Sequence, residues 1–127
     1  MRSNDGTRTG GEILIDQLAI HGVRHAFCVP GESYLAALDA FHDSSIALTV
    51  CRHENGASMM AEAVGKATGR PGICFVTRGP GATNAAAGIH IARQGSTTMY
   101  VFVGPVGRQE AMMAEAVVLL ERMKAEG

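Results

Sequence analysis

An acidic side chain, Glu54, stands at the junction of two patterns. The apolar run Ile46-Ala47-Leu48-Thr49-Val50-Cys51 leads into Arg52-His53-Glu54-Asn55-Gly56-Ala57. Beyond it Ala57, Met60, Ala61 and Val64 recur at three- and four-residue steps, the spacing of one helix face. A buried strand therefore stops and a helix starts at Glu54. A carboxylate there can simply complement the helix dipole, for about 0.3–1 kcal/mol, and that is the ordinary role of a first-turn acid. It can also face a ligand, because open α/β sheets bind ligands at the carboxyl edge of their strands.

Two glycine-rich turns are expected at the same edge, Pro30-Gly31-Glu32 and Gly79-Pro80-Gly81. Neither is a phosphate loop by pattern: G-x-x-x-x-G-K-[ST] is absent, and no G-x-G-x-x-G opens the first helix. Helix N-termini bind anions in any case, but plain turn chemistry accounts for both turns. His53 could orient Glu54 or a ligand, or be an ordinary loop histidine. His21, His25, His42 and His90 fall in different elements without ligand spacing, and no Ser/His/Asp grouping follows from order alone. Cys28, Cys51 and Cys74 form neither a C-x-x-C nor a metal spacing, and they read as buried, inert thiols at strand ends.

The elements that position these groups follow in chain order. Residues 1–8 read as a polar tail, and a first helix is expected from Thr9 to His21, with Ile13, Leu14, Gln17, Leu18 and Ile20 setting its apolar side. A strand at 25–29 meets the Pro30 turn, and Ser33 is placed to cap a helix from Tyr34 to His42. The strand 46–51 and the Glu54 helix follow, the helix stopping at Thr68-Gly69-Arg70-Pro71. Then come a strand at 72–77, an alanine-rich helix from Ala82 to about Arg93 and a strand at 98–103. An amphipathic closing helix is expected over 108–126, with Met113, Ala116, Val117, Leu120 and Met123 on one face. Apolar strands separated by helices mean an α/β fold: a three-layer αβα sandwich on a mainly parallel sheet of at least four strands.

At 127 residues the chain suits one domain, here residues 9–127. Hydrophobic residues make up 46% and aromatics only 5%, so the core must be aliphatic. A formal net charge of −1 argues against a nucleic-acid or anionic-membrane surface, and no apolar run reaches the roughly 18 residues of a membrane span. The opening residues lack the apolar core of a signal peptide, so a cytoplasmic location is expected.

Four pieces occur in a telling order: Phe27-Cys28-Val29-Pro30-Gly31-Glu32, His53-Glu54-Asn55-Gly56-Ala57, Thr68-Gly69-Arg70-Pro71-Gly72 and Gly79-Pro80-Gly81-Ala82-Thr83-Asn84. Together, over about residues 10–104, they resemble the N-terminal, pyrimidine-binding domain of thiamine diphosphate-dependent enzymes of the acetolactate synthase and decarboxylase type. The resemblance implies that Glu54 is the catalytic glutamate. It would share a proton with the aminopyrimidine ring and so favour the imino tautomer, whose nitrogen takes the proton from the thiazolium carbon that attacks a 2-oxo acid. It also implies that Pro30, Gly31, Glu32, Gly79, Pro80, Gly81, Asn84 and Gln94 lie by the cofactor, and that no metal ligand is on this chain.

In that family the diphosphate and its magnesium ion are held by a separate domain carrying Gly-Asp-Gly, a motif absent here. Magnesium would therefore enter only through a partner domain or subunit, and the chain as it stands is expected to be inactive and able to stand as a monomer. The sequence departs from the family pattern at Arg93, usually aromatic, at Gly95, usually acidic, at Thr98, usually proline, and at Val64, often tyrosine. The motif match stops near Arg108. A truncated or engineered, non-catalytic α/β scaffold domain is the alternative reading. A nucleotide-binding module, resting on the turns alone, is a third.

Overall fold

Gly72-Ile73-Cys74-Phe75-Val76 carries no charged or hydroxyl side chain, and every one of its five positions is buried. A strand of that kind belongs at the centre of a sheet covered on both faces. The structure, a computed structural model, describes residues 6–104. Residues 1–5 of the expected tail and the expected closing helix over 108–126 lie outside the described residues. The strands are β1 (His25–Cys28), β2 (Ala47–Val50), β3 (Gly72–Val76) and β4 (Met99–Val103). They form one sheet in the order β2-β1-β3-β4, and all three pairings are parallel.

The period-two alternation of β3 feeds two cores. Ile73 and Phe75 point into one, with Ile15 of α1 (Gly10–Ile20) and Ala37 and Phe41 of α2 (Leu35–His42). That core is not purely aliphatic as the composition suggests, because the few aromatics gather in it around Phe75: Phe102 stacks on it at 4.7 Å, Phe41 meets it edge-on at 5.2 Å, and Tyr34 lies tilted at 5.9 Å. Cys74 and Val76 point the other way, onto Ala57 and Ala61 of α3 (Glu54–Thr68) and Ala85. The helix α5 (Ala86–Gln94) packs on α3 on that side. The three-layer αβα sandwich with a parallel sheet is the fold the sequence predicts. The outer strands are less covered: Val50 of β2 and Tyr100 of β4 are more than half exposed.

Three local expectations are corrected. In α1 the buried residue is Ile15, while Ile13 and Ile20 are 48% and 72% exposed. The inward stripe is Gly11, Leu14, Ile15 and Leu18, an i, i+3, i+4, i+7 set in which Gly11 lets the helix touch the Ala36 backbone. Ser33 is not a helix cap. It sits in a short 3-10 turn, Glu32–Tyr34, and its hydroxyl pairs with Thr77 instead. The alanine-rich helix is broken into α4 (Pro80–Asn84) and α5 at Ala85, whose ψ of −9° departs from helical values. Thr9 caps α1 through a capping box with Glu12, a T-x-x-E signal present in the sequence.

Helix α3 ends where expected, with Gly69 left-handed at φ 67°. It lies directly on the sheet. A Cβ on Gly72 would stand 1.8 Å from the Ala61 carbonyl oxygen, and one on Gly65 2.7 Å from that of Thr98. Gly72→Ala should therefore lower stability by about 1–3 kcal/mol through overpacking, and Phe75→Ala by about 3–5 kcal/mol through a cavity at the ring cluster. Urea unfolding of the purified chain followed by circular dichroism checks both.

Candidate functional site

After β1 the chain turns toward β2, and after β3 toward β4 on the other side. The carboxyl ends of β1 and β3 thus flank a topological switch point, the place where open α/β sheets form a ligand crevice. The two strands are held together up to that edge by the Val29 N–H donating to the Phe75 carbonyl at 3.3 Å. Pro30-Gly31 leaves from β1, and Gly79-Pro80-Gly81 follows β3. Gly79 has φ 63° and ψ −115°, a conformation that only glycine adopts without strain.

The third contributor comes from β2. His53 is extended and caps α3, its Nδ1 accepting the Asn55 N–H at 3.1 Å. From there α3 crosses to pack on β1 and β3, which brings its first residue, Glu54, to the crevice. Glu54 is only 9% exposed. The Asn84 side-chain N–H donates to Glu54 Oε2 at 3.2 Å. Glu54 Oε1 faces the Gly81 turn, where a Cβ would approach to 3.3 Å. Glu54 from the start of α3, with Gly81 and Asn84 from the turn after β3, thus form one contact set.

Thr77, the residue after β3, ties the two turns together. Its hydroxyl is 2.8 Å from that of Ser33. A Cβ on Gly31 would stand 2.7 Å from Thr77 Cβ, and one on Gly81 2.8 Å from Thr77 Cγ2. The Tyr34 hydroxyl donates to the Val29 carbonyl, just before Pro30. Burial, then the neighbouring Cys28 and Cys74, and last the Glu54 carboxylate raise the Tyr34 hydroxyl above its ordinary range, so it stays a neutral donor. Pattern reading missed Ser33, Tyr34 and Thr77 as members of the site. Their one signal is position: each lies within three residues of a glycine turn.

The remaining candidates divide. Pro30, Gly79 and Pro80 form the exposed rim. Glu32 also lies at the rim, its side chain 82% exposed and paired with Arg78 at 3.5 Å, a surface ion pair of small energetic consequence. Gln94 is not brought to the crevice. It is the last residue of α5, which leads from the carboxyl edge of β3 down to the start of β4, so it lies at the opposite edge of the sheet. Burial pushes the Cys28 thiol up to about 11 and the Cys74 thiol to about 12, so both stay protonated and unreactive at neutral pH. No group of three or more His, Cys, Asp or Glu among the described residues could hold a metal ion. No helix among them is long and apolar enough to cross a membrane.

Comparison with known proteins gives this crevice a context. A family model described as "Thiamine pyrophosphate enzyme, N-terminal TPP binding domain" matches residues 8–122. An acetolactate synthase of Bacillus subtilis (strain 168) is 40% identical over 103 residues, which are 81% of this chain and 18% of the relative. The mitochondrial acetolactate synthase catalytic subunit of Aspergillus candidus is 43% identical over 100 residues, 78% of this chain and 14% of the relative. The large subunit of acetolactate synthase isozyme 2 of Escherichia coli (strain K12) is 36% identical over 97 residues, 76% of this chain and 18% of the relative. The chain therefore spans less than a fifth of the length of these relatives. With the family model covering nearly all of its length, the chain belongs to the N-terminal, thiamine pyrophosphate-binding domains of thiamine pyrophosphate enzymes.

Proposed function

We propose that this chain supplies the aminopyrimidine side of a thiamine diphosphate site in an acetolactate synthase-like carboligase or decarboxylase of 2-oxo acids. A partner domain or subunit holding the diphosphate and magnesium completes that site. The observation that carries the reading is the Glu54 carboxylate, buried at the switch point with Oε2 held by Asn84. A buried carboxylate is costly unless its oxygens find donors. Asn84 satisfies one oxygen, and the glycine at 81 keeps the space beside the other free of a side chain. That arrangement fits a flat heterocycle offering an N–H or accepting a shared proton.

The roles of the chain's own residues follow from their contacts. Glu54 Oε1 holds or moves a proton at the ligand ring, and Asn84 fixes the plane of the carboxylate. Gly31 and Gly81 let the backbone come close to Thr77, and the rim residues Pro30, Gly79 and Pro80 border the opening. When bound, the cofactor supplies the carbanion chemistry that 2-oxo acids require. Magnesium, which would neutralise the diphosphate, needs oxygen ligands of the kind a partner domain would bring.

Two outcomes test the reading. The purified chain, in thiamine diphosphate and magnesium, should turn over no pyruvate and should bind the cofactor weakly in calorimetry, because half a clamp is not preorganised. Cofactor-dependent acetolactate or acetaldehyde formation by the chain alone, clear of host enzyme, would show it to be complete. With a complementing Gly-Asp-Gly partner, Glu54→Gln should lower turnover by about 10²–10⁴-fold, the range of a lost acid–base group. Unchanged turnover would remove Glu54 from the chemistry.

A further inference from the structure

The crevice has two walls that come from distant parts of the sequence, and one side chain separates them. Thr77 stands between Gly31 on one side and Gly81 on the other, and it meets each through a different atom. Toward Gly31 it presents Cβ, at 2.7 Å from where a methyl would sit; toward Gly81 it presents Cγ2, at 2.8 Å. Its third substituent, the hydroxyl, is fixed by Ser33 at 2.8 Å. Ser33 cannot yield, because the backbone of Gly104, at the end of β4, is pressed against it: a Cβ there would fall 1.9 Å from Ser33 Oγ. Gly104 is itself tied to β3, its N–H donating to the Val76 carbonyl at 3.0 Å. Neither glycine is needed for its backbone angles. Gly31 is extended at φ −149°, and Gly81 lies within α4 with no positive φ. Both are needed for the room that Thr77 takes.

We propose that Thr77 is a positioning residue: its methyl seats Gly81 against the Glu54 carboxylate while Ser33 holds its hydroxyl, so that one side chain sets the spacing of the two turns. The consequence for catalysis rests on the reading of Glu54 given above; the spacer role does not. All three faces of a β-branched side chain are used, and serine or alanine would leave the Gly81 side slack. A displaced Gly81 turn carries α4 with it, and α4 holds the Asn84 amide that bonds Glu54.

The geometry predicts a selective rescue. Gly81→Ala places a methyl 2.8 Å from Thr77 Cγ2 and 3.3 Å from Glu54 Oε1, and Thr77→Ser removes the first and tighter of these contacts. Gly31→Ala places its methyl against Thr77 Cβ, which serine keeps. In the purified chain, Gly81→Ala and Gly31→Ala should each lower Tm by about 5 °C or more. Adding Thr77→Ser should restore most of the loss for Gly81→Ala and little of it for Gly31→Ala. The Asn84 side-chain amide signals, read by NMR, should shift in Gly81→Ala and return in the double variant, which a general loss of stability would not produce. If Gly81→Ala does not fold, the double variant decides: a folded Thr77→Ser/Gly81→Ala chain supports the spacer, and an unfolded one overturns it. An undisturbed Gly81→Ala chain, or a Thr77→Ser change that rescues both alanine variants or neither, also overturns it. Turnover of the chain complemented by a Gly-Asp-Gly partner separates the two claims. Selective rescue alongside unchanged turnover in Glu54→Gln refutes the cofactor reading and leaves the spacer standing.

Discussion

The close approach of α3 to its neighbours is the constraint on which the rest of the molecule depends. Along one face that helix carries Ala57, Ser58, Ala61 and Gly65, and at three points glycine or bare backbone lies opposite: Gly72 under Ala61, Gly88 against Ser58, the Thr98 carbonyl beside Gly65. There backbone packs closely at little cost in rotamer entropy, while Cys74 and Val76 pack on Ala57 and Ala61 from the sheet. A helix seated this way has little freedom to slide or roll. Its first residue is therefore delivered to a fixed point at the sheet edge, and that residue is Glu54. The lower half of the helix is pinned as well: Glu62, buried beneath the α5–β4 loop, accepts the Thr97 hydroxyl at 2.9 Å.

Burying Glu54 runs against solvation, and the fold offsets only part of that cost. The positive end of α3 favours a carboxylate at its first position, and the Asn84 amide adds one donor. A structural acid with no further duty would more cheaply be alanine or a solvent-facing serine at the same point. The dipole role that a first-turn acid ordinarily has is present here, yet it does not call for a side chain 9% exposed and aimed at a turn cleared by glycine. The two roles are compatible, and the burial is what the proposed function would account for.

Much of this was legible in the sequence because it follows from local rules. The strand-to-helix junction at Glu54, the Gly69 stop, the glycine turns and the parallel α/β class each depend on composition and period within a window of a few residues. What was not legible depends on contacts between distant segments. Ser33 has the residue type and position of a helix cap, and only the arrival of Thr77, 44 residues later, gives its hydroxyl another partner. Ile13 and Ile15 cannot be ranked by hydrophobicity; the neighbouring Gly11, pressed on the Ala36 backbone, decides which side of α1 turns inward. Gln94 was assigned to the crevice from resemblance alone, and the course of α5 puts it at the other edge. Asn84 was assigned in the same way, but α4 carries it onto Glu54.

The division of labour within the sheet explains why the crevice is where it is. β3 is the only one of the four strands buried at every position, and it contributes to both cores at once. β2 and β4 are largely open to solvent on their outer sides. A site held to within a fraction of an ångström needs supports whose own rotamers are locked by packing. The carboxyl end of β3 meets that need, since Thr77 continues directly from buried Val76, two residues after the Phe75 ring that meets Phe41, Tyr34 and Phe102. The Gly79-Pro80-Gly81 turn is thus flexible in composition but anchored to the strand that is buried at every position, and the carboxylate is brought to it by a helix seated directly on the sheet.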